Sequence, residues 1–183
     1  TSLRGYLLDT LLYLAFFPQL IAGPIIKAKD FFPQVQAKRF SDIDLSACFR
    51  FLVLGFFLKS VIADNLAYMG ETALRAARLA AEGSFSGAQF PTPLFIQGFY
   101  LYAFYIYADF SGYTDIARAS AALFGFQLPE NFRQPYLSAT INDFWNRWHM
   151  SLTQWFREYL FFPLSRLLLQ RFGRRYQFLL QSA

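Results

Sequence analysis

Apolar residues run through this chain in long blocks separated by short polar connectors, a pattern that predicts helices and no strands. The first block, 3–21, is mostly apolar and interrupted by Arg4, Asp9 and Gln19, with Pro18 near its end. It approaches the ~20 residues that cross a hydrocarbon core, and Asp9 requires protein on one side of it. A membrane helix is expected over 3–22, ended by Gly23 and Pro24, because proline disfavours helical geometry before it and donates no backbone bond. A second membrane helix is expected over 45–69, around FLVLGFFLKSVIA, with Ser41, Asp42 and Asp44 as cap candidates. Lys59 and Asp64 lie five apart, too far round that helix to pair, and are expected to serve other helices. Residues 70–93 become small and polar, reading as a short helix and an exposed loop.

A third apolar block, 94–126, is interrupted at 109–115 by Asp109, Ser111, Tyr113, Thr114 and Asp115. Polar groups left unsatisfied in hydrocarbon cost several kcal/mol each, so the pattern predicts a broken membrane helix whose break faces protein or a water-filled cavity. Gly125 is placed to cap it, and 128–136 is an irregular connector. Ser138, Thr140 or Asn142 can open a further helix over 142–160, and another begins at 176–183. The fold class is all-α, a polytopic integral membrane protein.

Composition agrees with this class. Of 183 residues, 55% are hydrophobic, 21% aromatic and 16% charged, against about 25% charged in soluble domains. The net charge of +5 is scattered between apolar runs and forms no nucleic-acid patch. Cys48 is the sole cysteine, which excludes an internal disulfide and a cysteine-rich metal site. The 25–44 connector carries Lys27, Lys29, Lys38 and Arg39 among Phe31, Phe32 and Phe40, and reads either as a segment on the membrane surface or as a solvated loop. Its four basic residues exceed the two in 70–93, and four more lie in 166–175, which places 25–44 and 166–175 on the cytoplasmic side. That topology holds only if 142–160 is re-entrant or lies along the interface. The absence of an initiator Met and the apolar run at the far end read as an internal piece of a larger protein.

The stretch 142–159, NDFWNRWHMSLTQWFREY, holds all three tryptophans (Trp145, Trp148, Trp155) and the only histidine, His149. On one continuous helix, Trp145, Leu152, Thr153 and Phe156 would share the face of His149. As a metal ligand His149 lacks partners, since no second histidine and no useful cysteine exist here. Two readings stay open: a packed core residue, or an acid/base or positioning group beside Asn146, Arg147 and Ser151. The tryptophans read either as interfacial anchors or as walls that exclude water from a cavity. Asp109 and Asp115 are read as ties between the broken helix and neighbouring arginines rather than bases, because a buried charge persists only when paired.

Four strings, FPQLIAGPI at 17–25, YADFSGYTD at 107–115, LPENFRQPY at 128–136 and DFWNRWHMSLTQWFREYLFFPL at 143–164, resemble the membrane-bound O-acyltransferase family. The likeness runs over nearly the whole chain and points to the bacterial branch of alginate O-acetylation and D-alanyl transfer to teichoic acids. The resemblance implies a helical bundle round a tunnel, present here in part, in the bacterial inner membrane. It implies an acyl donor, acyl-CoA or an acyl-carrier thioester, as substrate rather than bound cofactor, a polysaccharide acceptor, and possible work with an extracytoplasmic acetyltransferase. Membrane lipid is the surrounding partner. His149 corresponds to one of two family histidines associated with activity. The other, in a tryptophan-histidine motif and assigned as general base, has no counterpart here, so this segment is expected to be inactive alone. Trp145, Asn146, Arg147, Trp148, Ser151 and Trp155 are the expected tunnel lining, and Asp109, Ser111, Tyr113 and Asp115 a structural polar break. The rival reading is a transporter or export channel, which would also explain a broken helix with buried carboxylates.

Overall fold

The structure is a computed structural model that describes residues 3–82 and 92–172. The expected start of a helix at 176–183 and residues 83–91 of the expected loop lie outside the described residues. The chain divides into two compact units, Thr1–Gly23 with Ala28–Leu128, and Pro24–Lys27 with Pro129–Ala183. Among the described residues every regular element is helical.

In the first unit, α1 (Leu3–Ala15) is shorter than the expected span over 3–22. Phe16 leaves helical geometry at ψ 94°, and a single tight turn, Phe17–Gln19, follows with Pro18 in its first positions. Gln19 Nε2 donates to the Tyr13 carbonyl (2.8 Å), which supplies one of the acceptors that the helix end exposes. The turn sends Phe16 inward. Its ring lies 4.9 Å from Phe126, and Phe31, at the end of the one-turn helix α2 (Ala28–Phe31), is fully buried and stacks on Phe126 at 4.9 Å and 16°. Tyr13 closes the group at 5.2 Å from Phe31. Part of the 25–44 connector is therefore core, a role that neither the surface nor the solvated-loop reading covers.

Asp44 caps α3 (Leu45–Phe56) by accepting from the Ala47 N–H at 2.9 Å. The helix does not stop near 69. It passes through a wide π-helical turn, Phe57–Ala63, into α4 (Asp64–Ala81). Over Leu45–Leu79 it is long and apolar enough to cross a membrane, and only 11% of its apolar window is buried, unlike the core helix of a soluble protein. Phe49, Val53, Phe56 and Phe57 point outward.

The expected break at 109–115 is absent, because α5 runs unbroken over Thr92–Leu123, about 48 Å at 1.5 Å per residue. Its polar groups find partners without opening the helix. Thr114 Oγ1 donates to the Ser111 carbonyl and Ser120 Oγ to that of Ile116, both at 2.9 Å. Asp109 accepts from Lys59 Nζ (2.5 Å), and Asp115 from Arg118 (3.1 Å), whose guanidinium lies 4.0 Å over the Phe51 ring. Lys59 thus serves another helix, as its spacing from Asp64 implied. An unbroken α5 also leaves the transporter reading without the interrupted helix it drew on.

The buried residues of α5 are small: Gly98, Ala108, Ser111, Gly112, Thr114, Ala117, Ala119 and Ala121. They let α3 and α4 pack on α5 at close range. A Cβ added at Gly112 would stand 2.7 Å from the Gly55 carbonyl oxygen, and one at Gly55 2.8 Å from that of Gly112. At Gly70 an added Cβ would meet Leu101 Cβ at an ordinary 3.5 Å. The two sites should respond with opposite sign. Gly112→Ala is expected to lower stability by about 1–3 kcal/mol through overpacking, whereas Gly70→Ala raises it by up to about 1 kcal/mol through helix propensity. Thermal unfolding in detergent of the two variants reads the contrast, and equal shifts would contradict the close approach.

Candidate functional site

The second unit opens on an irregular segment, 129–134, and a tight turn, Pro135–Leu137. Thr140 then caps α6 (Ile141–Trp145), its Oγ1 accepting from the Asp143 N–H at 3.0 Å. The helix expected over 142–160 is not continuous. After α6 the chain turns, with Arg147 and Trp148 N–H both donating to the Phe144 carbonyl, and His149 takes left-handed geometry at φ 42° and ψ 53°. α7 (Met150–Phe156) starts at the next residue and continues through a second wide turn, Arg157–Phe161, into α8 (Phe162–Phe172). His149 therefore sits at a helix N-terminus instead of mid-helix.

The backbone N–H groups of a helix's first turn have no partner inside it, and the His149 side chain makes no capping bond. Asn131 supplies them from outside. The Met150 N–H donates to the Asn131 carbonyl at 2.9 Å, and the Ser151 N–H to Asn131 Oδ1 at 3.2 Å. The Arg133 N–H donates to the Arg147 carbonyl at 3.0 Å, so 131–133 lies along the turn on both sides of His149. Ser151 is buried, and its hydroxyl accepts from the Ile25 N–H at 2.9 Å, which ties the Pro24–Lys27 strap to α7. Lys27 Nζ meets Glu158 Oε1 at 2.5 Å on the same strap.

The His149 ring lies near-parallel to Phe132, 6.4 Å between centroids at 20°. Trp148 meets Phe132 edge-on at 5.0 Å and stacks on Phe144 at 5.6 Å, with Tyr136 6.3 Å away. This is the aromatic wall beside the imidazole. Burial in it pushes the His149 pKa below the ordinary 6.5, so the ring is neutral near pH 7.

The remaining expected lining residues take other places. Arg147 Nε is held by Asp143 Oδ1 at 2.9 Å, and that hydrogen bond keeps the Asp143 carboxyl below its usual range. Asn146 Oδ1 accepts from Arg157 at 3.3 Å. Trp145 is 52% exposed and edge-on to Phe144, while Trp155 stacks on Tyr159 at 5.4 Å. His149 and Trp148 thus meet at Phe132, Ser151 is tied to the same turn through Asn131, Trp145 reaches this cluster through Phe144, and Trp155 packs on Tyr159. The shared face expected for Trp145 and His149 is lost because residues 146–149 are not helical. Asp109, Ser111, Tyr113 and Asp115 belong to the first unit. Sequence reasoning missed Asn131 and Phe132. Their only signal was the string LPENFRQPY, which no periodicity marks.

Small-residue helix packing and an outward apolar surface define a helical membrane protein, whose one histidine is half-buried on the turn before α7. The model of the membrane-bound O-acyltransferase family matches residues 6–183, and the chain belongs to that family. It is 36% identical over 160 residues to a probable alginate O-acetylase of Pseudomonas putida, covering 87% of this chain and 30% of that protein. Similarity at 36% over 171 residues extends to a peptidoglycan O-acetyltransferase of Helicobacter pylori, with 88% of this chain and 29% of the relative covered. A teichoic acid D-alanyltransferase of Streptococcus thermophilus is 34% identical over 165 residues, covering 88% of this chain and 38% of the relative. The chain thus spans about a third of the length of these relatives.

The left-handed turn and the depressed pKa each carry an outcome. His149→Gly and His149→Ala both lose the ring's packing, but only glycine also relieves the left-handed strain that His149 and alanine share, so the Gly variant should be the more stable of the two by about 1–2 kcal/mol, as read by thermal unfolding. The folded imidazole binds its proton less well than the unfolded one. Its contribution to stability is complete above the unfolded value of 6.5 and is lost as pH falls through the lower folded value. Unfolding midpoints measured across that window should fall with acidification in the parent and flatten in His149→Gly.

Proposed function

We propose that this chain forms part of a membrane O-acyltransferase that moves an acyl group from a thioester donor to a hydroxyl of a cell-surface polymer. The observation that carries the reading is the placement of His149, a neutral, half-buried imidazole on a clamped left-handed turn against Phe132 and Trp148. The reaction needs a hydroxyl that loses its proton as its oxygen attacks the thioester carbonyl. A C–O bond forms, the C–S bond breaks and the thiol leaves with a proton. A neutral imidazole can accept a hydrogen bond from the attacking hydroxyl or orient it, and the surrounding rings keep water from competing.

The acetyl and D-alanyl transferases among the relatives support acyl transfer to polysaccharide or teichoic-acid hydroxyls. In this reading the donor, acyl-CoA or an acyl-carrier thioester, arrives from the cytoplasm, and the protein is a polytopic bundle in the bacterial inner membrane. An extracytoplasmic acetyltransferase can complete delivery to the polymer. Arg147 and Asn146 act through their pairing with Asp143 and Arg157, shaping the turn instead of touching the donor.

The test uses a chain of the relatives' full length carrying this segment, in inverted membrane vesicles with radiolabelled acetyl-CoA and alginate. His149→Gly and His149→Asn, both compatible with the turn, are expected to lower transfer at least about tenfold, within or approaching the roughly 10²–10⁴ that a positioned acid/base group contributes. Membrane insertion should be unchanged. Parental turnover in both variants would remove the histidine from the reaction.

A further inference from the structure

We propose that Asn131 is the positioning residue of the histidine centre, setting the His149 ring through the backbone of the two residues that follow it. The inference rests on the reading of His149 given above. Asn131 is 1% exposed, among the most completely buried side chains in the molecule, yet it lies in a segment with no regular structure. A buried amide in a loop needs a reason to be there, since an apolar residue of its size would bury at less cost. The reason is visible in its bonds. Its carbonyl takes the Met150 N–H and its Oδ1 the Ser151 N–H, two consecutive donors of the α7 first turn. Together they do for α7 what a local cap does for α3 and α6, from 20 residues earlier in the chain.

The consequence for His149 is direct. A residue outside glycine adopts left-handed geometry only when its surroundings fix it there. With Met150 and Ser151 pinned on one side and Arg147 pinned to Arg133 on the other, the φ and ψ of His149 have no freedom left. Phe132, the residue after Asn131, then meets the ring near-parallel. One short segment therefore sets both the backbone of the histidine and the surface it rests on. Asn131 Nδ2 is buried without a hydrogen-bond partner. The capping role uses only the two oxygens, so this N–H is dispensable to it.

That division of atoms makes the test specific. Asn131→Asp keeps both acceptors and places a carboxylate at a helix N-terminus, where Asp caps as well as Asn. Asn131→Ala removes Oδ1 and orphans the Ser151 N–H. In the same vesicle assay with radiolabelled acetyl-CoA and alginate, Asn131→Ala is expected to lower kcat at least about tenfold with KM for acetyl-CoA within about twofold. Asn131→Asp should stay within about threefold of the parent. In a His149→Gly background, Asn131→Ala should bring no further loss, because the group it positions is gone.

Three results overturn the proposal: parental kcat in Asn131→Ala, an undiminished second loss in the His149→Gly background, or a tenfold fall in a folded Asn131→Asp variant. The last would assign the role to Nδ2 instead of the cap. If Asn131→Ala fails to fold, Asn131→Asp alone decides. A fully active His149→Gly parent is a separate outcome that removes the reading of the histidine first, and this inference with it.

Discussion

Two backbone N–H groups at the start of α7, with no partner in their own helix, govern the second unit. A helix that begins abruptly after a left-handed residue cannot use that residue's side chain as its cap, and here the imidazole makes no such bond. The donors must find oxygen elsewhere or stay unpaired at about 1–3 kcal/mol each. Asn131 answers both, and the requirement propagates outward. It fixes where α7 begins, hence the turn at 146–149, hence the side of the helix on which the Ser151 hydroxyl meets the Ile25 N–H and Glu158 meets Lys27. The His149 ring rests against aromatic side chains, and its backbone carbonyl accepts from the Thr153 N–H in the first turn of α7.

The first unit obeys a different constraint. Its helices expose Leu, Phe and Tyr and bury Gly, Ala, Ser and Thr, the reverse of a protein that folds by hiding large apolar groups from water. Where lipid is the solvent, large apolar side chains gain nothing by turning inward, and close backbone approach with ion pairing takes over. Gly55 against Gly112 and Lys59 against Asp109 are these two contributions on the same pair of helices. The cluster of Tyr13, Phe16, Phe31 and Phe126 is the exception, a compact aromatic core that fastens the connector after α1.

Local features were legible in the sequence and distant ones were not. Residue type and position offered three candidates for each cap, Ser41, Asp42 or Asp44 and Ser138, Thr140 or Asn142, and Asp44 and Thr140 are the ones found. The all-helical class and the apolar run after 45 follow from periodicity and length. The polar insert at 109–115 misled because a linear pattern counts hydroxyls and carboxylates without seeing where their bonds go. Thr114 turns back onto its own helix and Asp109 reaches across to Lys59, so no break is needed. Helical-wheel arithmetic over 142–160 failed for a related reason. Left-handed geometry at a histidine leaves no trace in hydrophobic periodicity, and the oxygens that permit it lie outside the window that such arithmetic reads.

The wide turn at Phe57–Ala63 has its own effect on the long helix that contains it. Each extra residue taken into a helical turn rotates everything beyond it by roughly 100° relative to an unperturbed helix. The outward stripe of Phe49, Val53 and Phe56 therefore loses its phase beyond Ala63, where the exposed residues include Glu71, Arg75 and Arg78. One uninterrupted rod can thus show a greasy profile at one end and a charged one at the other, with no hinge or proline to mark the handover.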